Sequence, residues 1–131
     1  MADLAATNPK LTSGIEQTKP FAFKVPAPSG AEAGDVFQIG SGPVVAFAQT
    51  DRDDDGYCIG MFSAFFAEKI SVTAEDGSGD SAVAVGDVIC LDGTVVNKDT
   101  TNGTEFGVAL ETVTSGESAN IWVAWIAPKH A

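Results

Sequence analysis

Residues 86–96 read GDVICLDGTVV. A run of apolar, β-branched residues, an Asp92-Gly93 turn signal and a second β-branched run make a β-hairpin, because Asp-Gly supplies the positive φ angles that a tight two-strand connection needs. The same kind of unit stands upstream. GDVFQIGSGPVVAFAQT (residues 34–50) gives a strand, a Gly-rich turn at Gly40–Gly42 and a second strand. The two segments resemble each other, with Gly34-Asp35-Val36 matching Gly86-Asp87-Val88 and Pro43-Val44-Val45 matching Thr94-Val95-Val96. Either a hairpin has been duplicated or the match is a coincidence.

From Gly34 onward, turn signals recur every 8 to 12 residues, the spacing of an all-β sandwich or small barrel of short antiparallel strands. TEFGVALETV and ANIWVAWIA read as two more strands joined at Ser115-Gly116-Glu117. The apolar run from Ile59 to Phe66 fits a buried strand or one short helix, and periodicity does not arbitrate. EDGSGDS (75–81) is a loop.

The strand NIWVAWIA carries the most information. Ile121, Val123 and Trp125 point one way, and Trp122, Ala124 and Ile126 the other. Both faces are apolar, which predicts a central strand covered on both sides. The competing reading puts Trp122 or Trp125 at a subunit interface, where aromatic residues are enriched.

DRDDDGYCIG (51–60) has the D-x-D-x-D-G opening of an EF-hand calcium loop. The loop rule then fails. Its twelfth position, which needs a bidentate Glu, is Phe62, and the next acid is Glu68. Strand-like segments stand where helices should flank it. The stretch is read as a polar turn in which Asp side chains cap backbone N–H groups.

The first 30 residues form a different region. Four of the six prolines (Pro9, Pro20, Pro26, Pro28) fall here, which stops helices and central strands. TKPFAFKVPAPSG alternates Phe21, Phe23 and Val25 between prolines, giving an extended segment with one apolar face, able to lie along a sheet edge. Residues 1–30 are therefore expected to be an extended arm and residues 31–131 a single β domain. The arm is either a leader without a role or a docking element that orders on a partner.

The 131 residues include 44% apolar and 19% charged residues, which is globular composition, and no apolar run approaches a membrane span. MADLAATNPKL has neither the basic nor the apolar region of a signal peptide, so synthesis in a cytoplasm is expected. Cys58 and Cys90 sit in apolar stretches and read as reduced, buried hydrophobes. With His130 in the C-terminal tail, no zinc ligand set or nucleophile–His–Asp arrangement is visible, and no cofactor is expected. The net charge is −11, and it is uneven. Residues 1–30 carry Lys10, Lys19 and Lys24 against Asp3 and Glu16, whereas residues 31–131 have 16 acids against Arg52, Lys69, Lys98 and Lys129. An acidic body repels phosphate backbones, so nucleic acid is not an expected partner.

Taken in order, these signals resemble a known family. A GDV strand leads to VVAFAQTD and an acidic turn, then GMFSAFFAEK, VGDVICLDGTVVN, Gly107–Leu110, a TSGE turn and IWVAWI. Residues 34–126 are similar in this order to the small phage head proteins called capsid cement or decoration proteins. The resemblance implies a β-rich protein without enzymatic activity that coats the outside of an expanded icosahedral head. It implies trimers at three-fold and quasi-three-fold positions, bridging subunits of the major capsid protein and helping the head resist packaged DNA. The location implied is the outer surface of the virion. The Pro-punctuated arm and the double-Trp strand depart from that pattern. For this chain, Lys19, Pro20, Phe21, Phe23, Lys24 and Val25 are the candidate capsid contacts, with residues 20–26 adding as a strand, the two Phe rings in pockets and the two Lys at the rim. Trp122 and Trp125 are the candidate subunit-interface residues. A carbohydrate- or calcium-dependent β module, built on an acidic loop and exposed aromatics, is the main alternative; a tail or fibre component of the virion is another.

Overall fold

A computed structural model describes residues 22–62 and 66–126. Among them there are nine strands and no helix. They are β1 (Ala22–Pro26), β2 (Val36–Gln38), β3 (Val45–Ala48), β4 (Tyr57–Met61), β5 (Ala67–Thr73), β6 (Val88–Asp92), β7 (Val95–Asn97), β8 (Thr104–Ala109) and β9 (Ser118–Trp125). All pairings within the two sheets are antiparallel. One sheet runs β1-β4-β3-β2 and the other β5-β9-β8-β6-β7. The protein is all-β, and the ambiguous run after Ile59 begins as strand, in β4.

The two sheets stack on a shared core. Val45 and Met61 from the four-stranded sheet meet Ile70, Val72, Ile89, Leu91, Phe106, Ile121, Val123 and Trp125 from the five-stranded one. Period-two alternation explains the selection. In β3, Val45 and Phe47 face this core while Ala46 and Ala48 face away. The far side of the four-stranded sheet holds a second apolar cluster of Val25, Phe37, Ala46, Ala48 and Cys58. Both cysteines are buried free thiols, and burial, with the charge of Asp53 behind it, pushes the Cys58 thiol up.

The five-stranded sheet curls, so that its edge strands β5 and β7 approach each other. Just beyond them the Lys98 N–H donates to the Glu75 carbonyl at 3.0 Å, and the Asn97 amide donates to the Glu75 carboxylate. This sheet is therefore a partly closed barrel wall rather than a flat layer. A β-bulge lies opposite the Ile89/Cys90 step, where Ile89 pairs Gly107 but Cys90 pairs Glu105. Phe106 is the extra residue, and the bulge turns its ring into the core against Trp125, with centroids 4.8 Å apart.

The GDV repeat has a structural basis, and it is the turn that recurs. Glu32–Asp35 and Ala84–Asp87 are each four-residue turns in which the fourth N–H bonds the first carbonyl at 3.0 Å and the third residue is Gly at φ 95°. That φ is the type II turn position that Gly fills without strain. Each Asp carboxylate also accepts the N–H of its turn's first residue, at 2.9 and 2.8 Å. A third copy is Thr114–Glu117, with Gly116 at φ 79°. In all three, the Gly N–H donates to an alanine carbonyl (Ala48, Ala109, Ala74), and that alanine's N–H donates back to the fourth residue's carbonyl. All three alanines are fully buried. The first copy docks on β3, the strand that follows β2, whereas the second docks on β8 rather than on its hairpin partner β7. A duplicated hairpin is thus not what repeats.

Two further boundaries move. The tight connection between β6 and β7 is Gly93-Thr94, since Asp92 pairs Val95, so Gly93 rather than Asp92 is its first central residue. Residues 22–26, read as part of a separate arm, form β1 and pair with β4 along its whole length, from Ala22↔Met61 to Pro26↔Tyr57. Proline is tolerated there because β1 is an edge strand. Residues 22–26 therefore belong to the four-stranded sheet, and residues 1–21 lie outside the described residues.

Candidate functional site

Two exposed surfaces carry the residues singled out above, one on each sheet. The first is the β1 edge. Lys19, Pro20 and Phe21 fall outside the described residues. Phe23 is 52% exposed and lies against the ring of Phe62, 5.6 Å between centroids. Lys24 is exposed, with Nζ 5.3 Å from the centroid of Tyr57, a cation–π distance. Val25 is different. It is buried in the second apolar cluster, where a Cβ on Gly60 would come within 3.0 Å of its Cγ2. Its assignment as a contact residue is corrected on that ground: alternation along β1 turns it inward, toward Cys58. Phe23 lies on the same face of the sheet but beyond the cluster, opposite Gly60.

The second surface is the outer face of β9. Trp125 is 3% exposed, stacked on Phe66 at 4.7 Å and edge-on to Phe47 at 6.1 Å, and its indole N–H donates to the Val45 carbonyl. It is a core residue, so an interface role for it is corrected too. Trp122, on the opposite face of the same strand, is 45% exposed. β9 is central in its sheet, yet it is covered on one side only; the expectation of cover on both sides does not hold for Trp122. Beside it stands Leu110, also 45% exposed, whose N–H donates to the Trp122 carbonyl. Leu110, Lys69 and Glu111 carry no sequence signal that marks them as part of this surface. Only strand pairing brings them to Trp122, and no local pattern announces it.

The acidic stretch is a turn. Asp53 Oδ1 accepts the N–H groups of Asp55 and Tyr57, both at 2.9 Å, and the Gly56 N–H donates to the Asp53 carbonyl. Asp51 accepts the Ala33 N–H, and Arg52 Nε donates to the Ala27 carbonyl. The Tyr57 N–H, with help from those of Asp55 and Gly56 and from the Lys24 charge, holds Asp53 below the usual carboxylate range against the opposing effect of burial. These carboxylates are capping their own loop and fastening it to the 27–33 segment.

A second polar cluster lies at the closed end of the five-stranded sheet. Asp99 is 2% exposed and accepts the N–H groups of Thr101 and Asn102 and the Asn102 side-chain amide. The Asn102 side chain, then its N–H and that of Thr101, lowers the Asp99 carboxyl against burial. Every one of these contacts is local and orders the 97–103 loop. Lys98 pairs with Asp87 at 3.1 Å and donates to the Ala82 carbonyl, tying that loop to the second GDV turn. An open groove of 520 Å³ runs between the β2 edge and the Gly93-Thr94 connection. Its lining includes one charged residue, Asp35, already capping the Glu32 N–H. No group of three or more His, Cys, Asp or Glu residues with metal-binding geometry occurs among the described residues, and no helix there is long and apolar enough to cross a membrane.

Compared with protein-family models, curated proteins and solved structures, the chain matches none.

Proposed function

We propose that this protein is a non-enzymatic structural component of a phage virion, which decorates and stabilises the outer surface of an expanded icosahedral head. Its partner is the major capsid protein, and its place is the three-fold and quasi-three-fold positions, as a homotrimer made in the bacterial cytoplasm. The order of sequence signals supports this reading. The structural observation that carries it is the edge strand β1, which presents Phe23 and Lys24 outward. A cement protein works by many modest contacts repeated around a symmetry axis, each further contact being effectively intramolecular. Selective binding to the expanded shell stabilises that state by mass action. Residues 19–24 then make the capsid contact, with the outer edge of β1 as the place where a shell strand adds.

One observation favours the carbohydrate- or calcium-dependent module: Trp122 is exposed, as that reading requires. Its two ingredients are nevertheless separated. The acidic loop joins β3 and β4 of one sheet, whereas Trp122 is on the outer face of the other.

The test is co-sedimentation of the full chain with expanded, undecorated heads, beside a version lacking residues 1–21. Saturable binding at a fixed ratio to the shell protein is the expected result, weakened in the truncated chain, which loses residues 19–21 but keeps Phe23, Lys24 and the β1 edge. An absence of binding at every salt concentration would end the cement reading.

A further inference from the structure

We infer that the outer face of the five-stranded sheet, centred on Trp122 and Leu110, is where copies of this chain bind one another. The inference rests on the trimer reading above and assigns it a surface.

The face is contiguous. Ala109 pairs Val123 and the Leu110 N–H donates to the Trp122 carbonyl, so Leu110 and Trp122 lie opposite each other on adjoining strands. One row along, Ala67, Ala124, Val108 and Val88 are successive cross-strand partners on the same face, all half-buried. Neighbouring strands lie about 5 Å apart and same-face residues along one strand about 7 Å apart, so the two rows adjoin in one largely apolar surface. A large aromatic flanked by aliphatic side chains is the anatomy of an interface centre.

The rim says what covers it. Lys69 pairs Trp122 from the β5 side, is exposed, and has no ion pair among the described residues. From the β8 side, Glu111 accepts the Trp122 N–H at 3.2 Å. Opposite charges thus stand on opposite flanks of one tryptophan. In a closed ring, each copy presents Lys69 to the Glu111 of the next, and the Trp122 rings gather at the axis. A surface carrying only positive charge would face Lys69 unfavourably, and one carrying only negative charge would so face Glu111. A second copy of this chain satisfies both.

Sedimentation velocity on the full chain, without heads, tests this. The expected result is a species of three chains whose dissociation constant rises at least about tenfold in Trp122→Ser and in Leu110→Ser. Lys69→Glu and Glu111→Lys should each weaken assembly, and the double exchange should restore it. Glu111→Gln, which keeps an acceptor for the Trp122 N–H, should weaken it through charge alone. Near-UV circular dichroism of the buried Trp125 confirms that each variant is folded. A wild type that stays monomeric, or a trimer indifferent to both Ser variants, overturns the inference. So does a monomer whose binding to heads is lost in Trp122→Ser, which would give the face to the shell protein. A trimer that the Ser variants weaken but that fails to bind heads supports this surface and overturns the cement reading instead.

Discussion

The indole N–H of Trp125 donates to the main-chain carbonyl of Val45 at 3.1 Å, a bond that crosses from the five-stranded sheet to the four-stranded one. It lies within a cage of Phe47, Phe66 and Phe106. Trp125→Phe keeps most of the ring packing and leaves that bond unmade, at a cost of about 1–3 kcal/mol. Trp125→Ala empties the cage, at about 3–5 kcal/mol. Urea unfolding followed by circular dichroism measures both, and equal losses for the two variants would contradict this account.

The β1 strand makes a prediction about truncation. A chain starting at Ala22 retains every pairing of β1 with β4 and should melt close to the full-length temperature. Removing residues 1–30 strips β1 and uncovers Cys58 and Ala46, which share a cluster with Val25. That chain should melt well below the first, or fail to fold, in a thermal scan of the three proteins.

Gly77 and Gly30 separate backbone strain from contact. Both have positive φ, at 91° and 82°, but a Cβ on Gly77 would lie 2.5 Å from Asp99 Oδ2, whereas nothing lies within 4 Å at Gly30. Gly30→Ala should cost about 1 kcal/mol, the strain alone. Gly77→Ala must also displace a buried carboxylate and should cost distinctly more. Similar losses in denaturant titrations would mean that the Asp99 loop yields freely.

Stability should fall in acid, and the sign follows from three carboxylates. Asp53, Asp87 and Asp99 are all lowered from 3.8, by the Tyr57 N–H, the Ala84 N–H and the Asn102 side chain respectively. A group depressed in the folded state adds stability above its unfolded value and loses it as pH falls through the folded one. Melting temperature should therefore be flat with respect to these groups above about pH 5 and decline below about pH 4. Asp99→Asn should flatten part of that decline. A melting temperature unchanged from neutrality into strong acid would contradict the bonding described.

Calcium provides a check on residues 51–56. Asp53 spends its Oδ1 on two N–H groups and Asp51 its Oδ1 on a third. Millimolar calcium should leave the melting temperature where magnesium leaves it. A calcium-specific rise would reinstate the binding-loop reading.

Much of the fold was legible because local chemistry demanded it. The turns at Gly34, Gly86 and Gly116 needed glycine at a positive φ, and the Asp residues after the first two needed a nearby N–H to accept, so three strand entries declared themselves in four-residue windows. Period-two alternation likewise placed Ile121, Val123 and Trp125 on one face of β9. What alternation cannot say is which face has a neighbour. That Trp125 is enclosed while Trp122 stands against solvent follows from where the four-stranded sheet stacks, a contact between residues 80 apart in the case of Val45 and Trp125. The inward turn of Phe106 depended on a bulge defined by its partner strand. The docking of residues 22–26 on β4 depended on an edge assembled from distant segments. The pairing of Trp122 with Lys69 and Leu110 has the same origin. The sequence by itself determined the turns and the alternation, because both are set by residues within hydrogen-bonding reach along the chain. Tertiary structure alone decided which faces are buried and which charges flank Trp122, because strand order and stacking are set by the burial of the whole apolar surface at once.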